Sequence, residues 1–202
     1  EFLPEILASF LADRPGVSID LQERLTNVIV RGIRDGSADL GIVSGDIASD
    51  GLEVIPFSTD RLVLATAKTH PLADQSEVRF VSTLKYEHIG LHEGSTLLAF
   101  LQSLMEKNGY DQALRIQVRS FEAMCRLIEA GVGIGVVPES AAHRHAKTMQ
   151  IKLVTLSDPW AVRTRSVLVR SRNALSRSAL ALVEELVRTG AGGTIPKKVP
   201  AK

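Results

Sequence analysis

The stretch RSFEAMCRLIEAGVGIGVVPES, residues 119–140, joins a predicted helix to a predicted buried strand through a glycine turn. Apolar residues recur in its first half at the spacing of one helix face. Gly131 follows the last of them, at a place where a left-handed residue commonly ends a helix. The apolar residues from Val132 onward predict a short buried strand that ends at Pro138. The helix-face positions are Phe121, Met124, Leu127 and Ile128.

Two further glycines, Gly133 and Gly135, lie inside this predicted strand. A glycine weakens a strand, so it commonly marks a close approach by a ligand or by another stretch of backbone. The three glycines do not predict a dinucleotide site, because that fingerprint needs a strand first, then the glycines, then a helix. Here the helix comes before the glycines, which argues against a nucleotide-binding protein.

The helix, the turn AGVGI at 130–134 and the strand end at Pro138 resemble the C-terminal effector-binding domain of LysR-type transcriptional regulators. Three more stretches match that family in the same order along the chain. The resemblance covers roughly residues 1–188 and implies a type 2 periplasmic-binding-protein fold, with an inducer cleft between two lobes. The three stretches are FLPEILASFLADRPGVSIDL at 2–21, DGSADLGIV at 35–43 and RLVLATAKTHPLA at 61–73.

Predicted strands and helices alternate along almost the whole chain. This pattern is typical of an α/β protein and predicts a mostly parallel sheet with helices on both faces. The units are too many for one sheet of this size, so two small Rossmann-like lobes are expected. The predicted strands are 17–21, 40–43, 61–67, 89–91, 114–118, 132–137, 151–156 and 162–169. The predicted helices are 2–12, 26–36, 97–107, 121–128, 139–145 and 175–187.

The assignment of these elements to lobes comes from the resemblance. It implies that lobe I contains residues 1–64 and 162–190, and that lobe II contains residues 65–161. Two crossover strands, near 61–67 and 156–167, would join the lobes. Residues 191–202 have little apolar surface to bury, so we predict a disordered tail there.

One feature departs from the family. The family's domain normally has a central strand just before the first helix, whereas this chain begins at Glu1, inside that helix. The neighbours of a missing central strand would have unpaired N–H and C=O groups, so we expect a gap in lobe I. We also expect the chain to be part of a longer regulator with an N-terminal helix-turn-helix.

Composition limits the classes of function. The chain is 45% hydrophobic and 23% charged, which is ordinary for a globular protein. A net charge of +1 gives no general attraction to nucleic acid or to a membrane surface. There is no apolar run long enough to span a membrane and no secretory signal. Cys125 is the only cysteine, which fits a cytoplasmic location.

No catalytic or metal-binding pattern stands out. His143 and His145 are two residues apart on a predicted helix and do not share a face, so a solvated helix end explains them better than a metal site. Cys125 has no histidine beside it in sequence, which favours a packed thiol over a nucleophile. The acids are scattered and form no evident acid/base pair. We therefore predict no enzyme activity, no metal and no cofactor.

Several helix starts and one strand end carry hydroxyl groups. The N–H groups at a helix start, together with the helix dipole, favour an anion, although an ordinary N-cap explains the same residues. We predict that Ser95 or Thr96 caps one helix and that Thr26 or Asn27 caps another. The resemblance places these residues along the cleft. The predicted ligand-binding residues are Thr26, Asn27, Ser44, Ser95, Thr96, Ser120, Phe121, Val137 and Pro138.

The sequence thus predicts the effector-sensing domain of a bacterial LysR-type regulator, binding a small and anionic metabolite in the interlobe cleft. The alternatives are a free solute-binding protein of a transporter and an enzyme on the same fold. As the resemblance implies, we expect a homodimer, a tetramer for the full-length protein, and contact with DNA only through the helix-turn-helix. We expect no membrane partner. The candidate dimer surfaces are the helices 2–12 and 97–107.

Overall fold

A computed structural model of the chain describes residues 3–45, 51–110 and 114–190. The helices are α1 Leu3–Ala12, α2 Thr26–Asp35, α3 Phe80–Thr83, α4 Thr96–Lys107, α5 Phe121–Glu129, α6 Glu139–Ala146 and α7 Arg177–Gly190. The strands are β1 Gly41–Ser44, β2 Glu53–Ala67, β3 Glu77–Val78, β4 Ile89–Leu91, β5 Ile116–Val118, β6 Gly135–Pro138, β7 Ile151–Leu156 and β8 Val162–Val169.

The chain splits into two compact units. The first unit is Glu1–Asp60 with Arg163–Lys202, and the second unit is Arg61–Val162. Strand β2 runs from the first unit into the second, and β8 begins at their other junction. The lobes predicted at 1–64 with 162–190 and at 65–161 stay predictions, and the predicted tail at 191–202 lies outside the described residues.

In the first unit, strand β8 lies between β1 and β2. Alternate residues of β8 enter different apolar clusters, because successive side chains of a strand point to opposite faces. Val167 packs in a cluster with Ile6 of α1 and Leu186 of α7, whereas Leu168 packs in a cluster with Ile33 of α2. Helices therefore cover both faces of this part of the sheet.

The strand predicted at 17–21 is wrong. Within the described part of the chain, no strand ladder includes these residues. Val17 donates its backbone N–H to Arg14 in a turn, and Leu21 is 60% exposed. Alternating apolar residues form a strand only where a neighbouring backbone accepts and donates the ladder hydrogen bonds, and among the described residues no strand pairs with this segment.

In the second unit, the C-terminal half of β2 pairs with β6 and β7. Leu64 points into a cluster with Phe80 and Leu101, and the next residue, Ala65, points into a cluster with Met124. Both faces of β2 are thus covered by apolar side chains. A strand covered on both faces has a continuous hydrophobic run, and residues 62–65, Leu-Val-Leu-Ala, form one.

The prediction of a mostly parallel sheet is wrong for the described pairs. Strands β4 and β5 are parallel, as are β3 and β7. The pairs β1–β8, β2–β6 and β2–β7 are antiparallel. The alternation of strands and helices does not reveal that β2 pairs antiparallel with β6 and β7. It also does not reveal that β8 follows β7 with only a 3-10 turn between them.

The stretch 119–140 forms the predicted helix, turn and strand. Gly131 has φ +73°, its N–H bonds to the Ile128 carbonyl, and the N–H of Val132 bonds to the Leu127 carbonyl. These two bonds form a Schellman motif, which satisfies carbonyls at the helix end. The strand that follows, β6, is shorter than predicted, because it begins only at Gly135.

Gly133 and Gly135 lie where other segments of the protein approach the backbone closely. A Cβ on Gly133 would lie 2.6 Å from the carbonyl oxygen of Glu87, and a Cβ on Gly135 would lie 2.8 Å from the sulfur of Met124. The glycines therefore let β6 and its approach pack against the segment before β4 and against α5. Of the two readings left open by the sequence, a close approach by protein atoms accounts for both positions.

Candidate functional site

The start of helix α4 places a buried and an exposed hydroxyl side by side. Ser95 is the N-cap, and its Oγ accepts a hydrogen bond from the Leu98 N–H at 3.4 Å. Its exposed fraction is only 9%, whereas Thr96, the first helical residue, is exposed. The predicted cap is thus Ser95, and the Thr96 hydroxyl is the one of this pair that a dissolved molecule can reach.

The start of helix α5 is also capped by a serine. Ser120 Oγ accepts a hydrogen bond from the Ala123 N–H at 3.2 Å, and Ser120 is exposed. Phe121 is half-buried and packs against both apolar clusters of the second unit. Val137 belongs to one of these clusters and is fully buried, while Pro138 remains partly exposed. Within this group, Ser120, Phe121 and Pro138 present accessible atoms.

The prediction that Thr26 or Asn27 caps helix α2 is wrong. Thr26 is the first helical residue, and the N-cap is Leu25, which makes no side-chain cap hydrogen bond. The Leu25 carbonyl accepts from the N–H groups of Val28 and Ile29, so the helix begins one residue earlier than the cap preference suggests. Asn27 is exposed and its Oδ1 accepts from the Val28 N–H at 2.8 Å.

Ser44 is the last residue of β1 and lies directly opposite Arg165 of β8 in the antiparallel ladder. Opposed residues of such a pair share one face of the sheet. Arg163, two residues earlier on β8, lies on that same face by strand alternation. The structure thus joins a predicted site residue to two arginines that the sequence analysis did not single out.

Both arginines contact one carboxylate, that of Asp60 on β2. The Arg163 guanidinium pairs with Asp60 Oδ2, and Nη2 of Arg165 lies 2.9 Å from Asp60 Oδ1. The side chains of Asp60, Arg163 and Arg165 are 5%, 19% and 15% exposed. We call these three residues the Asp60 cluster. It buries two positive charges and one negative charge within the first unit.

One atom of the Asp60 cluster lacks a partner. Nε of Arg163 is buried and has no hydrogen-bond partner in the structure. The sequence carried one signal for the cluster, namely two arginines two apart on a predicted strand. It could not show that Asp60, far away in sequence, lies between them.

Three titratable groups outside the Asp60 cluster, Asp35, His88 and Glu129, have structural partners. The backbone N–H of Gln150 lowers the pKa of Glu129, and the backbone N–H of Ser37 lowers that of Asp35. Burial lowers the pKa of His88, whose Nε2 lies 3.1 Å from the Thr83 carbonyl oxygen. Because a carbonyl only accepts, Nε2 carries the proton of this imidazole. None of these groups forms an acid/base pair.

The described residues contain neither a metal-binding cluster nor a membrane-spanning helix. No group of three or more His, Cys, Asp or Glu residues in ranges 3–45, 51–110 and 114–190 could hold a metal ion. In the same ranges, every helix is too short or too polar to cross a membrane. The side chain of His143 is 67% exposed and lies 3.9 Å from Glu139 on helix α6, and Cys125 is buried.

Comparison with protein families identifies the chain. The family profile described as "LysR substrate binding domain" matches residues 1–191. The chain belongs to this family. This match confirms the family that the sequence resembles. The resemblance was carried by the stretches 2–21, 35–43, 61–73 and 119–140.

Curated relatives of this LysR domain are transcriptional regulators rather than enzymes. A "Probable RuBisCO transcriptional regulator" of Synechocystis sp. is 22% identical over 191 residues, which are 92% of this chain and 55% of the relative. A protein with the same description from Phaeodactylum tricornutum is 25% identical over 182 residues, 87% of this chain and 59% of the relative. The chain thus spans little more than half the length of these relatives.

Solved LysR effector domains share the fold. The Synechocystis CcmR regulatory domain in complex with 2-PG matches with TM-score 0.81 and 23% identity, over 94% of this chain and 91% of that chain. The BenM effector-binding domain with its effector benzoate matches with TM-score 0.76 and 23% identity, over 97% and 90%. These matches confirm the predicted two-lobe, periplasmic-binding-protein-like α/β fold.

Proposed function

We propose that this LysR domain senses a small anionic metabolite for a transcriptional regulator. The observation that carries the proposal is the family match over residues 1–191. Structural relatives support the class of ligand, since the BenM effector-binding domain is solved with its effector benzoate and that of QuiR with shikimate. Both compounds are small carboxylates.

The accessible helix starts support an anion as the ligand. Thr96 and Ser120 are exposed at the starts of α4 and α5, where backbone N–H groups and the helix dipole attract negative charge. Phe121 adds a half-buried aromatic surface beside Ser120. The predicted ligand-binding set stays as proposed, namely Ser95, Thr96, Ser120, Phe121, Val137 and Pro138 in the second unit and Thr26, Asn27 and Ser44 in the first.

Sensing requires that the effector distinguishes two states of the protein. A ligand shifts an equilibrium only by its difference in affinity for the two conformations. We propose that the effector favours one arrangement of the domain and that the rest of the regulator responds to it. Homodimerisation, DNA contact through a helix-turn-helix and a cytoplasmic location belong to this proposal.

A thermal-shift screen of small metabolites tests the proposal. A ligand that binds only the folded state stabilises it by about 2.7 kcal/mol at 100 times its dissociation constant. We expect carboxylates or phosphate esters among the compounds that raise the melting temperature. A broad screen in which no small molecule stabilises the chain would contradict effector sensing.

The genomic DNA immediately upstream tests the regulator against a transporter component. If the chain is part of a LysR regulator, we expect an encoded helix-turn-helix in frame with this domain, since such an element places its recognition helix in the major groove. A secretory signal at that position would instead indicate a free solute-binding protein and would overturn the proposal.

A further inference from the structure

We propose that the Asp60 cluster holds the two connecting strands of the domain together, so that they respond to an effector as one element. The connecting strands are β2 and β8, which carry the chain between the two units. This inference rests on the proposed function and adds residues that position the strands, whereas the residues predicted from the sequence concern ligand binding.

The first step is the place of the cluster along the chain. Asp60 on β2 is the last residue of the first unit before the chain enters the second, and Arg163 on β8 is the first residue after the chain returns. Strand β8 lies beside β2 in the sheet. The contact of Arg163 with Asp60 spans 103 positions and so closes residues 61–162 into one loop.

The second step is the place of the cluster between strand ladders. Asp60 lies just before Leu62, where the ladder of β2 with β6 begins. The ladder of β8 with β1 begins at Arg165, opposite Ser44. Between these two ladders, Nη2 of Arg165 lies 2.9 Å from Asp60 Oδ1 and joins the connecting strands through their side chains.

The third step is the geometry of the contact. One carboxylate oxygen of Asp60 pairs with Arg163 and the other with Arg165, so a carboxylate from β2 is held between two guanidinium groups from β8. Hydrogen bonds between charged groups are strong and directional. A relative displacement of about 1 Å takes such a contact out of hydrogen-bond range, so the cluster opposes separate movement of the two strands.

The fourth step is the contrast with the apolar contacts of β8. Val167 and Leu168 pack in apolar clusters, and the hydrophobic effect that holds them is non-directional. A buried ion pair stabilises a fold no better than apolar residues of similar volume. What the Asp60 cluster adds to this packing is therefore a fixed position of β8 relative to β2.

A contact that only stabilises the first unit is the rival explanation, and a distance measurement between the units separates the two. Asp60→Asn removes the shared negative charge, and Arg163→Gln removes one of the two guanidinium groups. If the cluster links the connecting strands, each variant frees them to move separately in the folded protein. A purely stabilising role instead predicts a lower melting temperature with an unchanged distribution of distances.

The experiment is pulsed electron–electron double resonance on the 202-residue chain with one spin label on each unit. The labels are attached through Ser178→Cys on α7 and Gln102→Cys on α4, because both positions are exposed, while the native Cys125 is buried. We expect the distribution of label-to-label distances to be broader in Asp60→Asn and in Arg163→Gln than in the labelled parent chain. Circular dichroism confirms that each sample is folded.

Arg188→Gln is the matched control, because Arg188 is 73% exposed and pairs with Glu185 within α7. Its distance distribution should coincide with that of the labelled parent. Arg163→Gln decides the matter alone where Asp60→Asn does not fold, since it leaves the contact of Asp60 with Arg165. A folded variant whose distribution coincides with that of the control would overturn the proposed link.

Hydrogen exchange in the unmodified chain decides the matter where neither variant folds. If the strands are held together at the cluster, the backbone amides of residues 60 and 163–165 should exchange about as slowly as those of residues 63–65 in the interior of β2. Exchange about tenfold or more faster at the cluster would show that the strands separate there, and would overturn the proposal.

Failure of this link is distinguishable from failure of the proposed function, because neither measurement needs an effector. A metabolite that stabilises the chain in the screen, with unchanged distances in the folded variants, supports effector sensing and overturns the link. Broader distances in the variants, with no stabilising metabolite in the screen, support the link and contradict the sensing role.

Discussion

The two units of the chain bury their interiors in different ways. In the second unit, both faces of β2 are covered by apolar side chains, and glycines at 133 and 135 permit close packing. The first unit has apolar clusters as well, but it also buries Asp60 between two arginines. Apolar packing is thus common to both units, and the first unit adds a largely buried contact between a carboxylate and two guanidinium groups.

The largest expected effect comes from removing the charge at the centre of the Asp60 cluster. Asp60→Ala leaves two largely buried guanidinium groups without their carboxylate. Breaking a buried ion pair on one side costs about 3–5 kcal/mol. We expect urea unfolding to show a loss of that size. Glu185→Ala is the control, since it removes an ion pair to the exposed Arg188 and should change stability little.

If Asp60→Ala lowered the free energy of unfolding no more than Glu185→Ala does, the contrast between the two units would be contradicted. It would mean that the Asp60 cluster is well hydrated in solution and contributes no more than a surface pair.

The second prediction concerns the tight packing of the second unit. Gly133→Ala places a methyl group 2.6 Å from the backbone oxygen of Glu87, where no flexible side chain can yield. Overpacking of this kind costs about 1–3 kcal/mol. Chemical denaturation should show this loss, while Gly16→Ala, with no atom within 4 Å of the new methyl group, should stay within about 0.5 kcal/mol of the unmodified chain.

The third prediction uses pH to probe the interior of the second unit. Burial lowers the pKa of His88 below its ordinary value of 6.5, with Glu87 opposing this shift and His70 adding to it. The folded state therefore binds the proton less well than the unfolded state. Stability is fully present above pH 6.5 and falls as the pH drops below it, by at most about 1.4 kcal/mol per pH unit.

Thermal unfolding between pH 7.5 and pH 5.5 measures this dependence. His88→Gln should flatten the slope because the buried titrating group is gone, leaving the smaller contribution of His70, whose pKa burial also lowers. A slope that is unchanged in His88→Gln would show that another group controls the acid sensitivity.

The smallest expected effect separates two adjacent hydroxyls. Ser95→Ala removes a buried N-cap from α4 and should cost about 1 kcal/mol. Thr96 is exposed and is not the cap, so Thr96→Ala should change stability by less than about 0.5 kcal/mol. Calorimetric melting of both variants checks this. Equal losses would mean that the two hydroxyls share the capping role.

The sequence predicted those parts of the fold that depend on local pattern. The helix, the Gly131 turn and the strand end at Pro138 follow from apolar spacing and from the conformational freedom of glycine. The prediction of a strand at 17–21 is wrong, because a strand needs a neighbouring strand to pair with, and alternation of apolar residues does not reveal whether one is present. Strand direction was wrong for the same reason, since pairing is a long-range property.

The same distinction between local and long-range properties applies to the candidate site. Ser95 and Ser120 were predictable, because an N-cap is recognised from the few residues that follow it. The contact of Asp60 with Arg163 and Arg165 was not, because no local rule relates residues a hundred positions apart in sequence. Thr26 failed as a cap because the helix begins after Leu25, which is not a residue type favoured at that position.

Pairs of ligands that differ only in charge test most directly whether this LysR domain recognises a small anion. Each carboxylic acid that stabilises the chain is titrated by calorimetry beside the primary amide of the same acid, with the unmodified protein and with Thr96→Ala. We predict that the acid binds at least about tenfold more tightly than its amide and that Thr96→Ala weakens it about ten- to hundredfold with little change in melting temperature. Equal affinities for acid and amide would contradict the account.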